Sequence, residues 1–513
     1  MEQDLAIETE LKLRIAPDQL ARLKRHALLK AHQVSRPVTR RLHNIYYDTP
    51  QLDLHKSGMA LRLRRAGRQW LQTLKGGGSV NAGLHLRNEW EAPVAGESFD
   101  FDALEAGGGK HLSHALRKKL RPVFVTDFSR NTRMLDFEGA QIELCMDSGE
   151  VRAGRSARTI SELEFELKSG EPVQLFGLAL ALLDVVPLEV EHTSKAEYGY
   201  RLFTHAKPVV TKAATPDLVK CPDAPGALQA MIWSCLFHLQ ANVPGTVHKL
   251  GDEYLHQVRV ALRRLRVALG MAKTFRADDE LAALRNDVSA LCVELGRPRE
   301  WDVFTTQTLA PVRERMPKDT GLRAVLSASQ KLREQHHAKV RQALQSQDFQ
   351  RLLLRFGVWM HGRYWREQSV GCPDNSFSSE AVSGLPQFAG NILQRHSKQV
   401  KKLGKQLAAA DAGQLHALRI SCKKLRYSGE LFASLYAGGK VTRYLSALAP
   451  LQDTLGTLND IAVARRLLDE LESKERHEML TLIRGWIEHD YASRMAELHE
   501  VWKKFAGQKA FWD

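Results

Sequence analysis

The sequence predicts an α+β N-terminal domain built on antiparallel strands, followed by a separate all-α C-terminal domain with an internal pseudo-twofold repeat. Three observations carry that prediction. From Ile7 to about Leu167, charged and apolar residues alternate with period two in short runs bounded by Gly, Asp or Pro, the pattern of strands with two unlike faces. After Ala227 the apolar spacing turns helical and stays so. Within that region His256, Arg259, Arg263 and Arg266, spaced 3, 4 and 3, recur as His416, Arg419, Lys423 and Arg426, the mark of a duplicated unit.

Taken in order, the first run sets Glu8, Glu10 and Lys12 on one face and Ile7, Leu11 and Leu13 on the other. Arg62 and Arg64 alternate with Leu61 and Leu63, Arg87, Glu89 and Glu91 form a third charged row, and Glu162, Glu164 and Glu166 alternate with Leu163, Phe165 and Leu167. Helices are expected over Asp18 to Ala31, behind Pro17, and over Leu112 to Leu120. Pro208, Pro216, Pro222 and Pro225 mark a linker. The predicted organisation is therefore 1–205, a linker over 206–226, and 227–513, with the first domain folding and acting alone. The helical domain is interrupted at 371–387, and its two halves share a further offset: Gly296 and Gly456 each stand 40 residues after their His. Acidic residues follow, Glu300 or Asp302 in the first copy and Asp460 in the second.

Composition narrows the partners. The chain has 513 residues, 43% hydrophobic and 26% charged, enough apolar material for packed cores and against global disorder. Lys and Arg number 74 against 59 Asp and Glu; residues 1–220 hold 32 and 28 of these (+4), leaving 42 and 31 (+11) for the rest. An excess concentrated in the helical part favours a polyanionic partner. No run reaches the roughly 18 apolar residues of a membrane span, the longest being Leu175 to Val186, and the first ten residues are acidic where a signal peptide is basic. The six cysteines are scattered without a CxxC pair. A reduced, cytoplasmic protein with no membrane contact is expected.

Charged rows on one face of several strands would be costly in a filled core, because buried charges need partners. They suit a barrel with a wet or ligand-filled interior. Guanidinium forks grip phosphate oxygens, and carboxylates hold hard cations such as Mg²⁺ or Mn²⁺. One row alone also suits the solvent face of an ordinary sheet; several rows of segregated sign favour the enclosed interior. In the helical domain each basic quartet lies in one stripe about 15 Å long, beside an apolar stripe of Leu255, Val258, Leu262, Leu265 and Leu269 or of Leu415, Leu418, Cys422 and Leu425. Two such stripes facing one groove would seat a linear polyanion, although either alone also reads as a solvated face. The two histidines lack further ligands at helical spacing in both copies, which favours phosphate contact or hydrogen bonding over metal. Lys398, Lys401, Lys402 and Lys405 could extend the patch. Tyr427 aside, no aromatics are interleaved with the basic residues, which disfavours nucleic acid.

The residues also carry a resemblance. Glu8-Thr9-Glu10-Leu11-Lys12 resembles the ExExK signature of the CYTH superfamily, the triphosphate tunnel metalloenzymes. It is followed in family order by YYDTP (Tyr46 to Pro50), KSGMALRLR (Lys56 to Arg64), TLK ending at Lys75, RNEWE (Arg87 to Glu91), IELCMDSG (Ile142 to Gly149), ELEFEL (Glu162 to Leu167) and SKAEYGYRL (Ser194 to Leu202). The basic helices around His256 and His416 are similar to the two signature helices of the CHAD domain, and the whole chain resembles bacterial CYTH–CHAD inorganic triphosphatases. This resemblance implies an eight-stranded antiparallel tunnel in which Lys12, Arg62, Arg64, Lys75, Arg87 and Lys195, with Arg130 or Arg133, contact triphosphate. It implies that Glu8, Glu10, Asp147, Glu162 and Glu164 ligate Mg²⁺ or Mn²⁺, and leaves Glu143 and Glu166 without a role. The implied reaction is hydrolysis of inorganic triphosphate to pyrophosphate and phosphate, with polyphosphate bound by His256, Arg259, Arg263, Arg266, His416, Arg419, Lys423 and Arg426. Class IV adenylate cyclases and thiamine triphosphatases share the tunnel, and a non-catalytic polyphosphate-binding or targeting role is a further alternative.

Overall fold

The computed structural model describes residues 7–81, 83–106, 112–275, 278–362, 365, 384–407 and 410–512, without the side chains of 7, 79, 81 and 87. The chain divides into two units, Met1–Val209 with Gln345–Gly371, and Val210–Leu344 with Cys372–Asp513.

The first unit holds nine strands among the described residues: β1 (Ile7–Ile15), β2 (Val38–Asp48), β3 (Met59–Ala66), β4 (Gln69–Asn81), β5 (Leu84–Val94), β6 (Arg121–Phe137), β7 (Ala140–Ala153), β8 (Ser156–Ser169) and β9 (Leu188–Val190). Their order is β5-β4-β3-β2-β6-β7-β8-β1-β9, and β5 pairs back onto β1. The first eight strands thus close into the expected antiparallel ring. β1 pairs with β8 on one edge and shares the other between β5, along Ile7 to Leu11, and the added strand β9, along Leu13 to Ile15. Strand residues alternate between faces, so Leu11, Leu13, Leu61, Leu63, Leu144, Leu163 and Phe165, all buried, share the outer face of the ring and leave the charged rows to the inner one. The Pro172–Leu183 helix covers β1 and β8 from outside. Between β4 and β5 the register shifts at Gly76 to Ser79, where Gly77 and Gly78 take φ of +67° and +98°, a left-handed bulge that side chains resist.

Three details differ from the sequence reading. The helix expected over Asp18 to Ala31 is two short ones, Pro17–Leu23 and Ala27–His32, separated where His26 caps the second. The helix expected over Leu112 to Leu120 is the single turn His114–Arg117. The Gln347–His361 helix, placed by periodicity in the helical domain, clusters with the ring. It runs beside the Pro172–Leu183 helix and β9, and Gly357 lies so close to Phe176 that a Cβ there would come within 2.1 Å of the ring. The Lys195–Thr204 helix, capped by Ser194, joins Leu42, Tyr46, Phe124, Phe128 and Ile160 in an apolar cluster through Tyr200.

In the second unit the expected linker is bound from Val210 onward. Thr211 exchanges backbone hydrogen bonds with the Asn242 side chain, Arg264 donates to the Ala214 carbonyl at 2.8 Å, and Ser434 joins Pro216 to Leu218. Helix pairs repeat as the sequence does: Ala224–Val247 against Asp252–Ala272, and Leu385–Gly404 against Ala412–Leu431, with the two basic helices also in mutual contact. Their apolar stripes are buried and their basic stripes are not part of that core. Residues 371–383 of the expected interruption lie outside the described residues. No described helix is long and apolar enough to cross a membrane.

Candidate active site

Strand parity brings the charged rows together inside the ring. Register sets Lys12 opposite Glu164, Arg130 opposite Asp147, and Asp147 opposite Glu162, distances at which cross-strand side chains interact. Lys12 Nζ lies 3.0 Å from Glu10 and also contacts Glu164. Arg130 clasps Asp147 through two hydrogen bonds of 2.8 and 2.7 Å and reaches Glu164 as well. Lys195, arriving from its helix, contacts Asp147 at 2.7 Å, Glu164 at 2.9 Å and Glu162. Phe128 lies beneath Lys195 and Arg130, at 5.0 and 5.6 Å from its centroid, a cation–π seat. Across the ring Lys75 binds Glu8 at 2.6 Å and Glu89 at 2.8 Å. Arg62 reaches Glu89 at 3.3 Å and donates to the Tyr46 hydroxyl at 3.4 Å, while Arg64 Nε donates to Asn44 at 2.8 Å.

Burial sets the electrostatics. It opposes the charges of Lys12, Lys195 and Arg130, yet adjacent carboxylates overcome it: Glu10 and Glu164 raise Lys12, Asp147 and Glu162 raise Lys195, and Asp147 and Glu164 raise Arg130. Asp147 and Glu164 stay below their ordinary range despite burial, held there chiefly by Arg130 and by Lys12 respectively. Glu162 and Glu8 lose that contest, and burial pushes each up to about 7. Arg64 is pushed down to about 10 by burial, with Arg62 and Arg130 adding repulsion. Arg62 Nε is buried and finds no acceptor among the described residues. The ring therefore combines buried carboxylates crowded at one site with an unpartnered guanidinium nitrogen, Arg62 Nε, and a disfavoured Arg64 charge at another.

On the two basic helices several cations face one another more than they face carboxylates. Arg263, from the first basic helix, acts on Arg419 and Lys423 of the second, so the two rows converge. Burial, then repulsion, pushes Lys423 down to about 8 and Arg259 to about 10. His256 is lowered by burial, with Arg299, Arg263 and Arg259 repelling its charge. Arg426 instead pairs with Glu430 at 2.7 Å, Arg266 lies against Cys292, and His416 shares a 3.0 Å hydrogen bond with Asn459.

Residues 6–200 match the CYTH domain family and residues 230–469 match the CHAD domain family. The chain is a CYTH–CHAD protein. Among curated proteins it is similar to an inorganic triphosphatase of Haemophilus influenzae, 34% identical over 202 residues, which are 39% of this chain and 56% of that one. The match thus spans just over half the relative's length. Among solved structures it is similar to the CHAD domain of the plant Ricinus communis, with 30% identity, 60% of this chain and 96% of that one covered, and a TM-score of 0.48. It is also similar to a Hippeastrum protein described as a candidate adenylyl cyclase with dominant triphosphatase activity, with 21% identity, 39% and 97% covered, and a TM-score of 0.29.

Of the residues singled out in the CYTH sequence, Glu8, Glu10, Lys12, Arg62, Arg64, Lys75, Arg130, Asp147, Glu162, Glu164 and Lys195 meet inside the ring. Arg87 pairs with Glu8 through the backbone, and its side chain lies outside the described residues. Arg133 does not join them. It stands an odd number of residues from Arg130 and so on the opposite face of β6, where it braces the short helices by donating to the Lys24 carbonyl at 2.7 Å and to Gln33 at 3.1 Å. Glu166 pairs with Lys168, and Glu143 lies beside the Cys145 thiol at 3.6 Å. The ring adds Glu89, Tyr46 and Asn44, to which the sequence reading gave no site role; Glu89 stood in its third charged row and Tyr46 in the YYDTP motif, and Asn44 shares strand parity with Tyr46. Asp147, Glu162 and Glu164 offer oxygens all within 4.8 Å of one another, and all three are buried. That donor set fits a hard divalent cation. A second acidic group in the CHAD domain, Asp252, Asp302 and His337, is bridged by Arg333, which donates to Asp302 at 2.6 Å and to Asp252 at 2.8 Å.

Proposed function

We propose that the CYTH ring hydrolyses inorganic triphosphate to pyrophosphate and phosphate with Mg²⁺ or Mn²⁺, and that the CHAD face binds polyphosphate. The observation that carries this reading is the pairing, in one ring, of three buried carboxylates within metal-binding distance with a buried Arg62 Nε that has no acceptor among the described residues and an Arg64 whose charge burial and neighbouring cations disfavour. A phosphate chain accompanied by a divalent cation complements both. Phosphate oxygens would satisfy Arg62 Nε and Arg64 and draw Lys12, Arg130 and Lys195 away from their carboxylates, leaving Asp147, Glu162 and Glu164 to hold the metal. When bound, that metal supplies neutralisation of charge on the phosphoryl oxygens. The clustered cations stabilise the same charge while fixing the chain for in-line attack. Glu8, pushed up to about 7 by burial, is suited to accept a proton from the attacking water at neutral pH. As the water oxygen bonds to the terminal phosphorus, the anhydride bond breaks and pyrophosphate leaves. The relative's name supports the inorganic substrate. All five described cysteines are free, which supports a reducing, cytoplasmic setting.

Phosphate release should be measured from triphosphate, pyrophosphate, long-chain polyphosphate, ATP and thiamine triphosphate, each with Mg²⁺ and with Mn²⁺. Metal-dependent preference for triphosphate is expected. Faster release from ATP or thiamine triphosphate would reassign the substrate, and no release from any compound would make the chain a binding module.

A further inference from the structure

We propose that the Gln347–His361 helix is a working part of the catalytic ring, in which Gln347 and Gln350 complete the outer edge of β9 and thereby hold Lys195 on its carboxylates. β9 is only three residues long and stands at the edge of the sheet. On its inner side it pairs with β1, and Glu191 next to it donates its backbone N–H to the Lys12 carbonyl at 2.9 Å. Its outer N–H groups would otherwise be left without partners, an unfavourable state for partly buried backbone. Two glutamines prevent this. Gln347 Oε1 accepts from Leu188 N at 3.1 Å, and Gln350 Oε1 accepts from Val190 N at 2.9 Å.

Both contacts lie one turn apart on the helix, so a single rigid element supplies them. The helix is anchored independently of the glutamines. Gly357 seats against Phe176, and Arg351 pairs with Asp184 at 2.8 Å. From β9 the connection to the site is short. The Glu191 carboxylate accepts from Thr193 N at 2.8 Å and from the Tyr198 hydroxyl at 2.7 Å, clamping both flanks of Ser194 and Lys195. Ser194 caps the helix that begins with Lys195, whose ammonium meets Asp147 and Glu164. A shift of β9 would therefore move Lys12 and Lys195 together, because both are tied to this strand. Gln347 and Gln350 are positioning residues in this scheme, acting through β9 and not on the substrate.

The inference rests on the ring being catalytic, so its test includes a readout that needs no catalysis. In the full chain, Gln350→Leu removes the acceptor at similar size, and Gln350→Glu retains one. Amide hydrogen exchange over residues 188–204 should quicken about tenfold in Gln350→Leu, the scale of one lost buried hydrogen bond. Triphosphate kcat/KM should fall by a similar factor, mostly through KM, while Gln350→Glu stays within about threefold of the parent. In a double-mutant cycle the Gln350→Leu effect should vanish when Lys195→Met is already present. Additive effects, or unchanged exchange in Gln350→Leu, would overturn the proposal. Should Gln350→Leu not fold, the less buried Gln347→Leu takes its place in the same cycle, with the same outcomes deciding. Quickened exchange without any triphosphatase activity in the parent would uphold the positioning role and fail the catalytic reading instead.

Discussion

The two charged regions of this chain treat their cations in opposite ways. In the ring, burial disfavours the charges of Lys12, Arg130 and Lys195, yet their pKa values are raised, because each touches carboxylates. On the CHAD helices burial lowers Arg259, Arg419 and Lys423, and neighbouring cations, Arg263 in each case, lower them further than single carboxylates can offset. A ligand for the first region must replace pairs of both signs, as a metal–phosphate complex does. A ligand for the second need only bring negative charge. Similar residue types thus serve two chemistries, and the partners, not the cations, distinguish them.

The sharpest way to break the comparison is inside the ring. Glu8→Gln and Glu10→Gln conserve volume while each deletes an anion, and each should reduce metal-dependent triphosphate hydrolysis on the order of 10²-fold or more. Steady-state rates at saturating metal check this, and near-parental turnover in either variant would overturn the catalytic reading of the ring.

For the CHAD face, the double reversals Arg259→Glu with Arg263→Glu, and Arg419→Glu with Lys423→Glu, should each weaken long polyphosphate binding by tens of fold. Triphosphate hydrolysis should be nearly unchanged. Polymer affinity should depend on counterion release, by analogy with nucleic acids, so parental binding should also fall steeply with salt. Titrations at two salt concentrations, beside triphosphatase rates, read both effects. Binding that survives both reversals would make the rows solvated helix faces.

Much of this contrast was legible in the sequence because strand parity and helical spacing decide which residues share a face. Glu8, Glu10 and Lys12 could be placed on one side of β1, and Arg259 and Arg263 in one stripe, without coordinates. Arg133 shows the limit: treating it as equivalent to Arg130 ignored its odd offset. What periodicity cannot supply is the identity of partners. Lys195 meets Asp147 across 48 positions through ring closure and helix docking, and Glu430 pairs with Arg426 whereas on Lys423 Asp453 pulls against burial and three cations. Nor does an amphipathic pattern say what a helix packs against, which is why the packing of the Gln347–His361 helix beside β9 and the Pro172–Leu183 helix was not legible. β9, at three residues, is too short for alternation to register.

Stability offers a smaller test with opposite signs in the two regions. Asp147→Asn removes the carboxylate shared by buried Arg130 and Lys195 and should cost roughly 3 kcal/mol of unfolding free energy. Lys423→Met removes a repelled cation and should stabilise by about 1 kcal/mol. Denaturant unfolding, followed by a probe in each unit so that the transitions are resolved, compares them. Destabilisation by both substitutions would show that the CHAD cation has partners beyond Asp453, the carboxylate acting on Lys423.

The smallest expected effect is a pH dependence confined to the CHAD face. Burial, with Arg419, Arg426 and Arg263 adding repulsion and only Asp453 opposing it, pushes Lys423 down to about 8. Its ammonium is therefore present below pH 8 and is lost above it, the direction opposite to that of a carboxylate. A polyanion binds the charged form more tightly, so binding should take up a proton, and affinity should decline several-fold between pH 7 and 9. Arg259, at about 10, remains charged across that window, and His256, lowered below its ordinary range by burial, is already neutral at its start. Lys423→Arg keeps a cation with a far higher intrinsic pKa and should flatten the decline without changing its salt dependence. Titration of polyphosphate into both proteins at pH 7, 8 and 9 and constant ionic strength decides the point: an equal decline in the two would assign the titration to another group and leave Lys423 as one charge among many.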